Sequence, residues 1–359
     1  MRILVTGGLG AVGTFLVPAL RAHGHEVWVC DLSHHHDPHY LRCDVSEYRQ
    51  VEQMFTGGGW DRGYHTRPRK FDVVYHLAAE FGRWNGEDYY ENLWKTNAIG
   101  TKNILRMQER YRFRAVYFSS SEVYGDWSGV MSEDVMDRHE VRQLNDYAIT
   151  KWVNELQVLD SAAMANTESV RVRLFNTYGP GELYSPYRSV ICLFAYRALH
   201  GIPYTVYTGH HRTSTFITDS AEMLARIAER FRPGEVYNIG GTEYHDIKTA
   251  SDLILRYLGK TDRDLVTYAD SEPFTTTDKK VDCAKAISEL GYSPRIGLEE
   301  GIARTLDWMR EQYGTTTVRS ADPPSPCPPR TLRCSEAPAA SATPLRIAPP
   351  PLGTMCGRA

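Results

Sequence analysis

This sequence predicts a doubly wound α/β fold, a parallel sheet with helices on both faces. Three observations predict it. Through the first half, short β-branched apolar runs alternate with longer amphipathic stretches. The first run passes into a glycine-rich turn that opens a helical pattern. An acidic residue, Asp31, closes the second run.

Ile3-Leu4-Val5, Val27-Trp28-Val29, Val73-Val74-Tyr75 and Ala115-Val116-Tyr117-Phe118 have the continuous apolar character of strands covered on both faces. Val12 to Ala22, Glu47 to Phe55 and Tyr89 to Tyr111 read as the helices between them. Residues 1–175 are therefore expected to form one dinucleotide-binding domain. From Asn176 proline and glycine break the pattern. Helices are expected near Arg188 to Leu199, Ser220 to Phe231, Ile247 to Leu258 and Leu298 to Arg310, with a strand at Tyr204 to Tyr207. Residues 176–314 would form a smaller substrate lobe, partly interwoven with the first domain, over the C-terminal edge of the sheet. Gly57 to Lys70 reads as a glycine- and arginine-rich surface loop. Residues 315–359 hold ten of the nineteen prolines and almost no aromatic side chains, the composition of a disordered tail.

Composition narrows the function. A net charge of -3 over 359 residues gives no electrostatic footprint for nucleic acid or an anionic membrane. No apolar run approaches the ~20 residues that span a bilayer. The first residues run straight into a turn, as a buried strand does and a signal peptide does not. Cys30, Cys43, Cys192 and Cys283 sit in apolar segments and read as free core thiols, which points to a reduced, cytoplasmic setting. The histidines at 34–36, 39, 210 and 211 match no zinc spacing, and no metal is expected.

Gly7, Gly10 and Gly13 have the spacing Gly-x-x-Gly-x-x-Gly, with Ala11 and Val12 inside the turn. Glycine lets the backbone approach a pyrophosphate, whose charge the helix N-terminus favours. Asp31 lies near the ~20-residue offset of a ribose 2′-hydroxyl contact. Its carboxylate would repel a 2′-phosphate, so NAD is expected over NADP. Asp44-Val45 is placed to hold the adenine, although Asp44 reads equally well as a helix N-cap. Leu77-Ala78-Ala79 ends the fourth strand with small side chains that leave room for a cofactor.

Two further segments carry chemistry. Tyr147 and Lys151 are one helical turn apart and project from one face. A tyrosine of pKa about 10 becomes a base when a nearby ammonium stabilises its phenolate. Ser119-Ser120-Ser121-Glu122 ends the Ala115 run, with Ser120 placed to orient an alcohol. Together they suit proton removal from a secondary alcohol, and Glu122 is left for a second step.

With these residues the chain resembles the extended short-chain dehydrogenase/reductases, specifically the NAD-dependent nucleotide-sugar epimerases and dehydratases. The resemblance covers roughly Met1 to Tyr313. It includes His76 to Glu80, Thr96-Asn97, Arg173 to Pro180, Arg212 with Asp219, Val236 to Gly240 and Leu290 to Pro294. It implies that Tyr147 is the base at the sugar C4 hydroxyl, that Lys151 holds the ribose and tunes Tyr147, and that Ser120 hydrogen-bonds the reacting oxygen. Asn97 and Ser119 would contact the cofactor. Asn176 and Arg212 would hold the nucleotide diphosphate, with Arg188 a weaker candidate, and Glu80 and Ser121 would meet the sugar. Relatives usually form homodimers through the two helices that here hold Tyr89 to Tyr111 and Asn145 to Leu159. Glu122 resembles the acid of 4,6-dehydratases and uronate decarboxylases, and simple 4-epimerases usually lack it. The dTDP-glucose dehydratases carry Asp where this chain has Ser121. Dehydration of a nucleotide hexose is the first expectation; uronate decarboxylation and 4-epimerisation are its rivals, and a non-catalytic NAD-binding protein is the distant alternative.

Overall fold

The computed structural model describes residues 1–57, 68–272 and 275–314. Most of the Gly57 to Lys70 loop lies outside the described residues, as do the tail from residue 315 and Cys327, Cys334 and Cys356. Within them, seven parallel strands form the main sheet: β1 (Arg2–Thr6), β2 (Glu26–Asp31), β3 (Tyr40–Arg42), β4 (Val73–His76), β5 (Arg114–Ser120), β6 (Ser169–Leu174) and β7 (Val236–Ile239). Their order across the sheet is β7-β6-β5-β4-β1-β2-β3. The winding reverses between β1 and β4, which opens a crevice beyond their C-terminal ends.

Alternation along each strand supplies two cores. Ile3, Val5, Val73, Tyr75, Val116 and Val172 pack on one face, with Leu16 and Leu20 of the first helix and Leu224 of the helix Ile217–Glu229. Leu4, Val74, Ala115 and Tyr117 point the other way, onto Val51, Phe55, Ile104 and Val158. A third cluster joins the helices Val190–His200, Ile247–Leu258 and Leu298–Tyr313 to the strand Tyr204–Tyr207. Full burial of a Leu or Ile side chain contributes ~1.5–3 kcal/mol, so these clusters are the main favourable term. The four described cysteines are buried and unpaired. No helix among the described residues is long and apolar enough to cross a membrane.

Two expected elements differ in detail. The Tyr89 to Tyr111 pattern forms three consecutive pieces, Tyr90–Trp94, a π-helical turn at Lys95–Ile99, and Gly100–Tyr111. The widened turn takes Asn97 inward, to 1% exposure. Helix Tyr48–Thr56 is preceded by Glu47, and Asp44 does not cap it. The Asp44 side chain instead accepts from the Ser46 amide at 2.9 Å, a local Asx turn.

Candidate active site

The crevice is a cleft of about 750 Å³ lined from the ends of β1, β2, β4, β5 and β6. Gly7 has φ +70°, and a Cβ there would stand 2.7 Å from the Ala78 amide nitrogen. Only glycine allows β1 and β4 to approach this closely. Thr6 ties the same two strands together: its hydroxyl pairs with His76 Nδ1 at 2.8 Å and accepts from the Ala78 amide at 3.3 Å. Gly13 is equally constrained, since a Cβ would lie 2.6 Å from the Gly7 carbonyl oxygen.

Gly7, Gly10, Ala11, Val12, Gly13, Asp31, Asp44, Val45, Leu77, Ala78 and Ala79 all line this cleft. Asp31 accepts from the Leu9 amide at 3.0 Å and the Leu32 amide at 2.8 Å, which fixes its carboxylate at the lip. A tight glycine cradle at a helix start, with a carboxylate across from it, fits a dinucleotide with a free ribose 2′-hydroxyl.

Ser119, Ser120, Ser121, Glu122, Tyr147 and Lys151 line the same cleft from β5 and the helix Asp146–Ala165. Asn145 caps that helix, its Oδ1 accepting from the Ala148 amide at 2.9 Å. Burial pushes the Tyr147 phenol up to about 12; a hydrogen bond with Ser120 works against that shift and the charge of Glu122 adds to it. Lys151 is 4% exposed. Its Nζ donates to the Phe118 carbonyl at 3.0 Å and lies 5.8 Å from the Tyr147 ring centre. Burial lowers its pKa to about 8. The phenol therefore stays neutral until positive charge beside it favours the phenolate.

Glu122 faces the cleft from the turn after Ser120, and its amide donates to Ser120 Oγ at 3.2 Å. Burial alone would raise its pKa. Lys279, through charge and a hydrogen bond, then Arg212 and a hydrogen bond from Asn145, outweigh burial and hold the carboxyl below its ordinary range. Lys279 comes from the short strand Asp278–Lys279, and its Nζ donates directly to Glu122 Oε1.

The other expected contacts divide. Glu80, Asn176 and Arg188 line the cleft. Glu80 accepts from Asn85 Nδ2 at 2.9 Å. Asn176 has φ +40° and donates to the Thr213 carbonyl at 2.9 Å. The Arg188 guanidinium lies 4.3 Å from the Phe81 ring centre, and its Nε is buried with no hydrogen-bond partner among the described residues. Asn97 and Arg212 are not among the lining residues. Asn97 spans the Glu80 backbone, accepting from its amide at 2.9 Å and donating to its carbonyl at 3.0 Å, and also donates to Thr150. Arg212 turns behind Glu122 and donates to the carbonyls of His211 and Thr277 at 2.8 and 2.6 Å. Among the described residues no His, Cys, Asp and Glu side chains gather as a metal site.

Sequence reasoning missed three groups. Lys279 sits in a polar Asp-Lys-Lys run that reads as surface. Glu182 is 8% exposed, lines the cleft and accepts from the Ser189 amide and hydroxyl at 2.9 and 2.7 Å. Glu155 accepts from Ser119 Oγ at 2.6 Å. Of the three, only Glu155 carried a signal: it is one turn beyond Lys151 on the same helix face.

Residues 3–240 match the NAD dependent epimerase/dehydratase family. The chain belongs to that family. It is 28% identical over 326 residues to the UDP-N-acetyl-alpha-D-glucosaminuronate decarboxylase of Bacillus cytotoxicus, covering 86% of this chain and 98% of the relative. It is 29% identical over 335 residues to the dTDP-glucose 4,6-dehydratase of Streptomyces niveus, covering 87% and 93%. Among solved structures, MoeE5 in complex with UDP-glucuronic acid and NAD is similar at a TM-score of 0.74 and 28% identity, covering 87% of this chain and all of that one. The protein is thus an NAD-dependent enzyme of the nucleotide-sugar epimerase, dehydratase and decarboxylase group, and its cofactor is NAD.

Proposed function

We propose that the protein oxidises C4 of a nucleotide-linked hexose and then uses Glu122 at C5, giving net 4,6-dehydration. NAD supplies the hydride acceptor at C4. Ser120 orients the C4 hydroxyl, and Tyr147 takes its proton with Lys151 stabilising the phenolate. A C4 ketone acidifies the C5 hydrogen. Glu122, facing the cleft, removes it and the hydroxyl leaves C6 as water; hydride would return to C6 from the reduced cofactor while C5 takes a proton back. The observation that carries this reading is Glu122 beside Ser120, with Lys279 on its carboxylate, in the cleft that Tyr147 lines. Arg188, with a buried unpaired Nε, and Asn176 are the proposed contacts of the nucleotide diphosphate, while Glu80 and Ser121 meet the sugar.

Uronate decarboxylation is the second reading. The similarity to a uronate decarboxylase favours it, as do the cations Lys279 and Arg212 beside Glu122. The test is mass spectrometry of products from NAD and a panel of nucleotide hexoses and uronates. Loss of water is expected; loss of carbon dioxide would establish decarboxylation, and a new sugar of unchanged mass epimerisation. We further propose a homodimer, because Tyr90 and Ile99 on one helical segment and Ile149, Leu156 and Leu159 on the next leave apolar side chains exposed. Sedimentation at micromolar concentration tests it.

A further inference from the structure

We propose that Lys279 is the positioning residue that keeps Glu122 in its proton-accepting form, so that C5 chemistry depends on a pair assembled from two distant parts of the chain. The inference rests on the proposed role of Glu122 at C5. Lys279 is fully enclosed, with a side chain 3% exposed, whereas 20% of the Glu122 side chain is exposed. The carboxylate is thus tied to an ammonium while part of the side chain stays open to the cleft.

A lysine buried this deeply needs a reason, because its ammonium loses hydration and its stem carries rotamer entropy. The groups around the pair show what it does. Arg212 approaches from the strand His211–Thr213, with His210 beside it at 3.2 Å. Arg83 approaches from the helix Arg83–Asp88 and is itself paired with Glu272. Asp278 precedes Lys279 and bonds Tyr244. Tyr147 and Asn145 face Glu122 from the catalytic helix. Arg212 spends its Nη1 on two backbone carbonyls. Lys279 places a donor directly on the Glu122 carboxylate. Without Lys279 the carboxyl would be left half-desolvated in the turn, where burial favours its protonated form.

The chemistry needs the ionised form. In the C5 step the C5–H bond breaks, the proton goes to Glu122 and the electron pair passes into the C4 carbonyl as an enolate. The leaving C6 oxygen departs as water by taking that proton back, which regenerates the carboxylate against Lys279. Hydride supplied to C6 by the reduced cofactor would leave C5 to take up a proton from the cleft; the proton that Tyr147 took from the C4 hydroxyl balances it, so no net proton is consumed.

The test uses the holoenzyme and two readouts on one substrate, UDP-glucose or the panel sugar that turns over. Nicotinamide reduction at 340 nm reports C4 oxidation. Deuterium entering from solvent at C5 reports the Glu122 step. In Lys279→Met the ratio of C5 exchange to nicotinamide reduction is expected to fall about tenfold on the acid limb of the profile. The acid limb of the exchange should move up by a pH unit or more, and Lys279→Arg should restore both. A Lys279→Met profile that keeps its acid limb in place overturns the assignment of Lys279. Wild-type nicotinamide reduction without any C5 exchange overturns the role of Glu122 itself, and that of Lys279 with it. If Lys279→Met does not fold, infrared titration of the wild type against Glu122→Gln decides the matter. A Glu122 carboxyl that protonates at or above the ordinary carboxylate range overturns the proposal, and one that stays ionised below it supports it.

Discussion

Two carboxylates, one buried against β5 and one in the turn that follows it, differ in their surroundings, and the difference separates architecture from chemistry. Behind the strand, Glu155 is saturated. One oxygen accepts from Ser119 Oγ at 2.6 Å and Arg173 Nε at 2.9 Å; the other accepts from Arg173 Nη2 at 2.9 Å and Arg171 Nη1 at 3.2 Å. The bidentate Arg173 fork adds Tyr124 and the Glu133 carbonyl to the same network. At the mouth of the strand, Glu122 faces the open cleft, with Lys279 on one oxygen. Both carboxyls are held below their ordinary range, because their cations outweigh the opposing effect of burial. A low pKa therefore does not tell a structural carboxylate from a reactive one. Exposure to the cleft separates these two: Glu122 lines it and Glu155 does not.

Tyr147→Phe is the largest expected effect and is indifferent to the contrast. It should lower nicotinamide reduction and product formation alike by ~10²–10⁴-fold, the usual worth of a positioned acid–base group; normal turnover refutes the proposed base. Glu122→Gln should leave single-turnover nicotinamide reduction measurable while C5 exchange falls by a comparable ~10²–10⁴-fold. Full product formation by that variant would remove Glu122 from the mechanism.

Glu155→Gln should do the reverse. It leaves Arg173 underpaired in the core, at a cost of ~3–5 kcal/mol in urea unfolding. The ratio of C5 exchange to C4 oxidation should hold. A Glu155 variant that changes that ratio without losing stability would collapse the distinction between the two carboxylates.

A smaller effect is expected at the far end of the cleft. Asp31→Asn replaces one charged acceptor, so NAD affinity measured by calorimetry should weaken by about tenfold, in line with ~1.5 kcal/mol for a hydrogen bond to a charged group. Preference over NADP should narrow with it.

Lys151 gives a signal in stability rather than rate. Its pKa is about 8 in the cofactor-free fold against 10.5 in an unfolded chain. Between those values the unfolded state binds more protons, so stability gains a contribution as pH rises through that window. Lys151→Met should lack it in thermal melts across pH 8 to 10.5.

How much of this was legible in the sequence follows from range. Gly7 to Gly13, Asp31 and Leu77 to Ala79 could be placed in one cleft from the sequence because backbone shape and short spacing set their positions. Tyr147 and Lys151 could be placed together because one helical turn determines their relation. The π-helical turn at Lys95–Ile99 was not legible, since a helix with an inward Asn97 has the same apolar period as one without it. Asp44 looked like a cap because both an Asx turn and an N-cap use the same side chain, and only the backbone of the following residues chooses between them.

By itself the sequence determined the sheet, the glycine turn and the helical pairing of Tyr147 with Lys151, because each is encoded in residues a few positions apart whose local geometry is set by period and sterics. Only the tertiary structure decided which charges meet. Glu122 and Lys279 are 157 positions apart. Nothing in either neighbourhood announces the other, and a buried ion pair forms only when packing removes both partners from water together.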